Sequence, residues 1–237
     1  METGAGISVS VVIVAAGKGT RMNMDINKQY VDVCGKPVIA RTIQAFEDCD
    51  SVNEIILVVN EADIMYCKKS IIDLYGFEKV KSVVAGGSER QNSVYNGLKE
   101  AKRESDIILI HDGARPFVRE ETIMACIEAA RGFGAACAAV PVKDTIKKSD
   151  KDGFIAETLE RNVLWSIQTP QAFKYDIIME AHKKAEEEGY TGTDDAILAE
   201  RLGVCTKLVM GRYDNIKITT KEDLAFADAI IEHSGRL

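Results

Sequence analysis

Residues Val9 to Val14 form a nearly continuous β-branched run that ends at Ala15-Ala16-Gly17. A strand with one face in water alternates apolar and polar side chains, whereas an unbroken run is apolar toward both faces and belongs in a sheet covered on both sides. Parallel sheets meet that condition because their crossover helices lie on the two faces. Strands and helices should therefore alternate along the rest of the chain. A second run, Glu54–Val59, precedes a helical pattern from Ala62 to Tyr75 that ends at Gly76, and a third, Val80–Val84, stops at Gly86-Gly87. Ser88-Glu89-Arg90-Gln91 has the S-x-x-Q form of a capping box, opening a helix whose Val94, Leu98 and Ala101 face inward. Ile107–Ile110 reads as the fourth strand, Glu120–Arg131 as a helix, and Ala135–Val140 as a fifth strand of small residues with Pro141 just beyond it.

From Lys143 the pattern changes. Thr145–Lys148 and Phe154–Leu159 flank Asp150-Lys151-Asp152-Gly153, a turn signal that makes this stretch a hairpin leaving the main sheet. After Pro170 the spacing predicts helices near Tyr175–Glu188 and Asp194–Leu202, a strand at Cys205–Met210, a short strand Ile216–Ile218 and a last helix from about Lys221 to His233. No repeat, low-complexity tract or linker interrupts the sequence. The expected fold is a single Rossmann-like α/β domain over residues 1–237, a doubly wound, mostly parallel sheet with a protruding β-hairpin arm at 143–168.

Of 237 residues, 30 are Lys or Arg and 37 Asp or Glu, a formal charge of −7 that argues against broad binding to nucleic acid or to an anionic membrane. A polyanionic ligand must instead meet a local cluster of cations. The early apolar stretch Ile7–Ala16 is far short of the ~20 residues of a membrane span, and no Lys or Arg precedes Lys18, so a cytoplasmic location is expected. The cysteines at 34, 49, 67, 126, 137 and 205 form no C-x-x-C pair, and neither a disulfide nor a structural metal is expected of them.

Three segments leave strand ends carrying chemistry. The first strand feeds Ala15-Ala16-Gly17-Lys18-Gly19-Thr20-Arg21-Met22, at the carboxyl end where open α/β sheets bind ligands. Its small residues let backbone N–H groups approach a phosphate, and Gly17 and Gly19 can take the positive φ angles of an anion-binding nest. No Walker A pattern fits, and the dinucleotide fingerprint fails at Met22. A plain strand-to-helix turn is the alternative, set against the cations Arg21 and Lys28 within and just after the loop.

His111-Asp112-Gly113-Ala114-Arg115-Pro116 follows the fourth strand to the same sheet edge. Asp112 there can hold a ribose hydroxyl or a magnesium ion and Arg115 can grip a phosphate through its fork, the alternative being a turn cap paired with its own arginine. His111 reads as packing and not as a base. Gly86-Gly87 could let a flat nucleobase edge meet backbone groups, with Ser93 offering a hydroxyl, although a helix cap alone also explains Ser88. Lys217, within Asp214-Asn215-Ile216-Lys217-Ile218-Thr219, stands in an apolar strand where an anion is its natural companion, unless it snorkels to solvent.

Taken in order, A-A-G-x-G-x-R-M with Lys28-Gln29-Tyr30 after it, G-G-x-x-R-x-x-S-V at 86–94, H-D-G-A-R-P at 111–116, P-V-K-D-T at 141–145, E-R at 160–161, T-P-Q at 169–171, T-D-D at 193–195 and D-N-I-K-I-T at 214–219 span almost the whole chain. Together they resemble the 2-C-methyl-D-erythritol 4-phosphate cytidylyltransferase family of non-mevalonate isoprenoid biosynthesis. The resemblance implies a magnesium-dependent reaction of CTP with methylerythritol phosphate that yields the cytidine diphospho-alcohol and pyrophosphate. It implies that Arg21 and Lys28 stabilise the transition state at the CTP α-phosphate, and that Arg161 and Lys217 position the second substrate. By the same match Ala15, Ala16, Gly87 and Ser93 hold cytosine, Asp112 contacts ribose and metal, and Arg115, Thr145 and Thr193 fall on substrate positions. The family's arm embraces a second subunit, so a homodimer is implied in which Thr145 and Arg161 serve the neighbouring site. Two positions depart from the pattern: Ser88 stands where some relatives have an acid, and Val14 where many have proline.

The chemistry agrees with this resemblance. A phosphate nucleophile is already ionised at neutral pH, so nucleotidyl transfer needs in-line positioning and charge neutralisation and no covalent intermediate. No Ser/His/Asp or Cys/His nucleophile set is evident in the sequence. Ribitol 5-phosphate cytidylyltransfer is the nearest rival, and an NAD-binding oxidoreductase a remote one, weakened by Met22 and by Asn60 after the second strand. Phe154, Ile155 and Leu159 in an otherwise charged hairpin also point to a dimer, since a monomer would leave them exposed.

Overall fold

The computed structural model describes residues 6–17 and 28–234, with only the backbone described at 28 and 234. The β-branched run forms β1 (Val9–Ala15), with all of its residues but Val14 fully buried. A short 3₁₀ turn, Lys28–Tyr30, leads to a two-stranded ribbon, β2 (Asp32–Val33) and β3 (Lys36–Pro37), then α1 (Val38–Glu47) and β4 (Glu54–Val59). A mixed helix follows over residues 61–75. It opens as a 3₁₀ turn, has α geometry at α2 (Ile64–Tyr66) and widens to π geometry over Cys67–Asp73. The chain continues through β5 (Val80–Ala85), α3 (Arg90–Glu100), β6 (Ile107–Asp112), α4 (Glu120–Phe133) and β7 (Ala135–Pro141). The hairpin β8 (Lys147–Ser149) and β9 (Ile155–Thr158) comes next, then β10 (Trp165–Lys174), α5 (Tyr175–Glu187), α6 (Ala196–Arg201), β11 (Thr206–Met210) and α7 (Lys221–Ser234).

The seven-stranded sheet has the order β11-β7-β10-β6-β1-β4-β5. Every neighbouring pair is parallel except those made by β10, which runs antiparallel to both β6 and β7. The mostly parallel α/β expectation therefore holds, with one reversed strand inserted. From β1 the chain builds outward through β4 to β5, then returns to place β6 on the other side of β1. The crevice at that reversal lies beside the carboxyl ends of β1 and β6, where Val14 pairs with Asp112.

Side chains from α1, α4 and the 61–75 helix, among them Ile39, Ile43, Phe46, Ile71, Ile123 and Ile127, cover one face of the sheet. Val94 and Leu98 of α3, Ile178 of α5 and Ala199 of α6 cover the other. Each of the larger side chains contributes about 1.5–3 kcal/mol by burial, which is why β1 needs no polar alternation. Helix α7 packs Ala227 and Ile231 on Val33, Val38, Phe117 and Ile218 in a separate cluster. Among the described residues no helix is long and apolar enough to cross a membrane.

Three sequence expectations are corrected. The capping interaction of α3 is shifted by one residue: Asn92 Oδ1 accepts the Glu89 N–H at 3.2 Å. Gln91 instead reaches across to Tyr190 O and Gly192 N. Residues 216–218 form no strand. They run as a loop tied by Ile218 N–H to Ala114 O at 2.8 Å, beyond the end of β6, where one backbone bond builds no ladder. The hairpin strands are shorter than the runs at 145–148 and 154–159, although the turn is as expected: Asp150 Oδ1 accepts from Asp152 N and Phe154 N, and Gly153 takes φ +86°.

Candidate active site

The described part of the site is organised around Asp112, the last residue of β6. Its backbone N–H donates to Thr169 Oγ1 at 3.1 Å, so the carboxylate projects from a fixed strand end. Three cations from three segments converge on it. Arg90 Nε, at the start of α3, lies 3.2 Å from Oδ1; Lys217 Nζ lies 2.7 Å and Arg115 Nε 3.6 Å from Oδ2. Burial by itself would push the Asp112 carboxyl toward its neutral form, but Arg90, then Lys217 and Arg115, outweigh that cost and hold it well below the usual carboxylate range. The expected anion for Lys217 is thus, in the free protein, the Asp112 carboxylate.

The loop carrying Lys217 is braced at both ends. Asp214 accepts from Arg119 and Arg212, and Asn215 is buried, donating to Gln168 Oε1 and Thr169 O. Arg115 reaches the same loop through its NH1, 2.8 Å from Asn215 O. His111 is fully buried against Phe46, and desolvation pushes its imidazole down to about 4. Thr169 Oγ1 sits 3.0 Å from Nδ1 and Arg115 O lies 3.0 Å from Nε2. One ring proton satisfies both contacts, so His111 is a neutral packing residue, as its place in the sequence implied.

At the neighbouring strand ends, Ala15 is buried, Ala16 half-buried and Gly17 exposed. The Gly86-Gly87 turn after β5 closes on them. A methyl group on Gly86 would collide with the Ala16 side chain and stand 2.8 Å from Ser93 Oγ, so only glycine lets this turn approach β1. Ser93 Oγ accepts from Gly87 N and donates to Glu89 O, both at 3.0 Å, bracing the turn and keeping one lone pair free. Gln29 Nε2 donates to Ala15 O at 2.9 Å, clipping the turn that begins with Lys28 to the end of β1.

Among the sequence candidates, Asp112, Arg115 and Lys217 come together, with Ala15, Ala16, Gly87 and Ser93 forming a second group along the same sheet edge. Gly19 and Arg21 lie outside the described residues, as does the side chain of Lys28. Thr145 and Arg161 sit on the arm, both exposed; Arg161 donates to Lys143 O at 3.0 Å and makes no ion pair with the Asp112 cluster. Thr193 is exposed just before Asp194 and Asp195. Residue-by-residue reading missed Arg90 and Asp195, which are joined at 2.7 Å; both stand inside quoted motifs, but nothing in either motif pairs positions 105 residues apart.

No group of three or more His, Cys, Asp or Glu side chains assembles a metal cage among the described residues. Among the described residues of the crevice, Asp112 is the carboxylate that would hold a magnesium ion, with nucleotide phosphates and waters completing its shell.

The family model of 2-C-methyl-D-erythritol 4-phosphate cytidylyltransferase matches residues 9–233. The chain is 51% identical over 223 residues to the enzyme of that name from Alkaliphilus oremlandii, covering 94% of each chain. It is 49% identical over 225 residues to that from Caldanaerobacter subterraneus, covering 95% of this chain and 99% of the relative. Among solved structures, the 4-diphosphocytidyl-2C-methyl-D-erythritol synthase of Anaerococcus prevotii superposes with a TM-score of 0.84 at 36% identity, covering 96% of this chain and 97% of that one. The cation cluster at the sheet's switch point is thus carried by a chain that belongs to the 2-C-methyl-D-erythritol 4-phosphate cytidylyltransferase family of nucleotidyltransferases.

Proposed function

We propose that this chain transfers CMP from CTP to 2-C-methyl-D-erythritol 4-phosphate, forming 4-diphosphocytidyl-2-C-methyl-D-erythritol and pyrophosphate in non-mevalonate isoprenoid biosynthesis. The observation that carries this reading is the convergence of Arg90, Arg115 and Lys217 on Asp112, in an acidic chain, at the crevice between β1 and β6.

The reaction joins two polyanions, and the protein's task is to hold them in line while charge gathers on the α-phosphate and the departing pyrophosphate. Ala15, Ala16, Gly87 and Ser93 receive cytosine, a role supported by the close approach of the Gly86-Gly87 turn to Ala16. Gly17 and Gly19 offer backbone N–H groups to the triphosphate. Arg21 and Lys28 neutralise the α-phosphate as it reacts. Lys217 and Arg161 hold the methylerythritol phosphate, with Arg115, Thr145 and Thr193 lining its path, and Asp112 accepts a ribose hydroxyl. Asp112 would hold a magnesium ion together with the nucleotide, and the ion would supply charge neutralisation at the phosphates. The buried, neutral His111 takes no part in proton transfer, and a phosphate nucleophile requires none. Thr145 and Arg161 reach an active site from the arm of a second subunit, and the dimer of this reading is supported by the apolar, exposed tip of that arm.

Pyrophosphate release, measured for CTP, UTP and ATP with methylerythritol phosphate or ribitol 5-phosphate, tests the reading. Release is expected with CTP and methylerythritol phosphate at least ~100-fold faster in kcat/KM than with ribitol 5-phosphate, as a site built around specific hydroxyl partners predicts. Preference for ribitol 5-phosphate, or CTP binding without pyrophosphate release, would overturn it.

A further inference from the structure

Arg90 differs from the other two cations at Asp112. Lys217 and Arg115 share one carboxylate oxygen, Oδ2, at 2.7 and 3.6 Å. The Lys217 side chain is about a third exposed, and Arg115 Nε is buried with no hydrogen-bond partner, so both retain donor capacity for an arriving anion. Arg90 is held at both ends. Its Nε faces Asp112 Oδ1 at 3.2 Å, and its NH1 is 2.7 Å from Oδ2 of Asp195. Asp195 is itself 1% exposed, its Oδ1 lies 3.1 Å from His182 Nε2, and its backbone N–H donates to Gln171 Oε1 at 3.1 Å. His182 stacks on Tyr95, and its Nδ1 has no partner, so its polar contact is spent on Asp195. A continuous chain of contacts therefore runs from Asp112 through α3 to the scaffold of β10, α5 and α6.

The charges state what this chain of contacts is for. Among the described residues two carboxylates, Asp112 and Asp195, face three cations, leaving one positive charge in excess. When a substrate phosphate draws Lys217 away, Asp112 must remain ionised and buried with fewer partners, which is costly unless a cation stays behind. Without Arg90, Asp112 would compete more strongly for Lys217 and Arg115. We propose that Arg90 is a positioning residue: braced by Asp195 and His182, it holds Asp112 permanently, so that Lys217 and Arg115 can be released to substrate phosphate. This rests on the reading of Lys217 as a partner of the methylerythritol phosphate.

Wild-type turnover of CTP and methylerythritol phosphate is measured first; its absence would sink the functional reading and not this one. KM for the phospho-alcohol, kcat and melting temperature are then compared for Arg90→Gln and Arg90→Lys, each with Asp112 intact and with Asp112→Asn. Arg90→Gln is expected to raise that KM about tenfold, as for directly coupled neighbours, and by more than it changes kcat. Arg90→Lys, which keeps the charge, should recover most of the loss. In the Asp112→Asn background the competing carboxylate is gone, and Arg90→Gln should shift KM by less than about twofold. An equal shift in both backgrounds, no rescue by lysine, or an unchanged KM would overturn the proposal. Should Arg90→Gln fail to fold, Asp195→Asn loosens Arg90 without removing it. A smaller KM rise, about threefold and abolished by Asp112→Asn, is then expected, and its absence is equally fatal.

Discussion

Asp112 and His111 are adjacent, both buried, and opposite in consequence. Asp112 is kept charged by the cations around it, whereas for His111 burial outweighs the pull of the Arg115 carbonyl and of Asp112 itself, and the ring is kept neutral at about 4 against an ordinary 6.5. In the unfolded chain His111 binds a proton as pH falls through 6.5; in the folded chain it does not until about 4. Between those limits the unfolded state carries more protons, so stability falls as pH drops, by roughly 3 kcal/mol for a shift of this size, and is fully present above the window. Denaturant unfolding of the wild type should weaken between pH 6.5 and 4.5, and His111→Gln should flatten that slope; an identical slope in the variant would refute the assignment. Asp112 and Arg115 were legible because they stand at and just beyond the end of β6, and Lys217 because a lone cation in an apolar run calls for an anion. The Arg90–Asp195 pair was not, because its partners meet only after two crossovers have closed.

At the level of elements, the β-branched strands and the small-residue strand β7 were read correctly because burial on both faces leaves a plain compositional mark. Helix α1 carries the spacing Ile39, Ile43, Phe46 of a one-sided apolar helix, a sign masked by the poor helix formers Val38, Ile39, Thr42 and Ile43; it holds because Ile39, Ile43 and Phe46 pack on the sheet. Strand β10 was hidden by Pro170 in its interior and by a register shift between Ile167 and Gln171, features that argue against a central strand when read locally. Helix α3 carries the site's Arg90 and Ser93, and its seating depends on Gly97. A methyl group there would stand 2.5 Å from Val12 Cγ1 and 2.8 Å from Val58 Cγ2, in the middle of the sheet's second face. Gly97→Ala gains intrinsic helix propensity of about 1 kcal/mol but overpacks the interface, at about 1–3 kcal/mol. The net expectation is a loss of up to about 2 kcal/mol in urea unfolding, together with reduced turnover as Arg90 and Ser93 are displaced outward. A variant more stable than wild type would show that the helix sits further from the sheet than described.

Across the whole molecule, the hairpin of β8 and β9 is the part whose structure is hardest to justify alone. All seven residues of its strands are exposed, and its largest apolar side chains, Phe154 and Ile155, are 71% and 67% exposed. An isolated two-stranded hairpin is marginally stable in water, so a third surface must cover this one if it is to hold its shape. Val163 and Ile167, exposed at the arm's return to β10, extend the same apolar character toward the sheet. Since Thr145 and Arg161 lie on this arm, a second copy of the chain as the covering surface would stabilise the hairpin and complete the site together. Sedimentation at micromolar concentration should therefore report a dimer. Phe154→Asp combined with Ile155→Asp should yield monomers, because burying two carboxylates in that contact costs several kcal/mol. Those monomers should lose at least ~10-fold in kcat/KM for methylerythritol phosphate while still binding CTP, since Ala15, Ala16, Gly87, Ser93 and Asp112 all lie outside the arm. A wild-type monomer under these conditions, or a monomeric variant with full turnover, would confine the site to one chain and leave the arm without a role in catalysis.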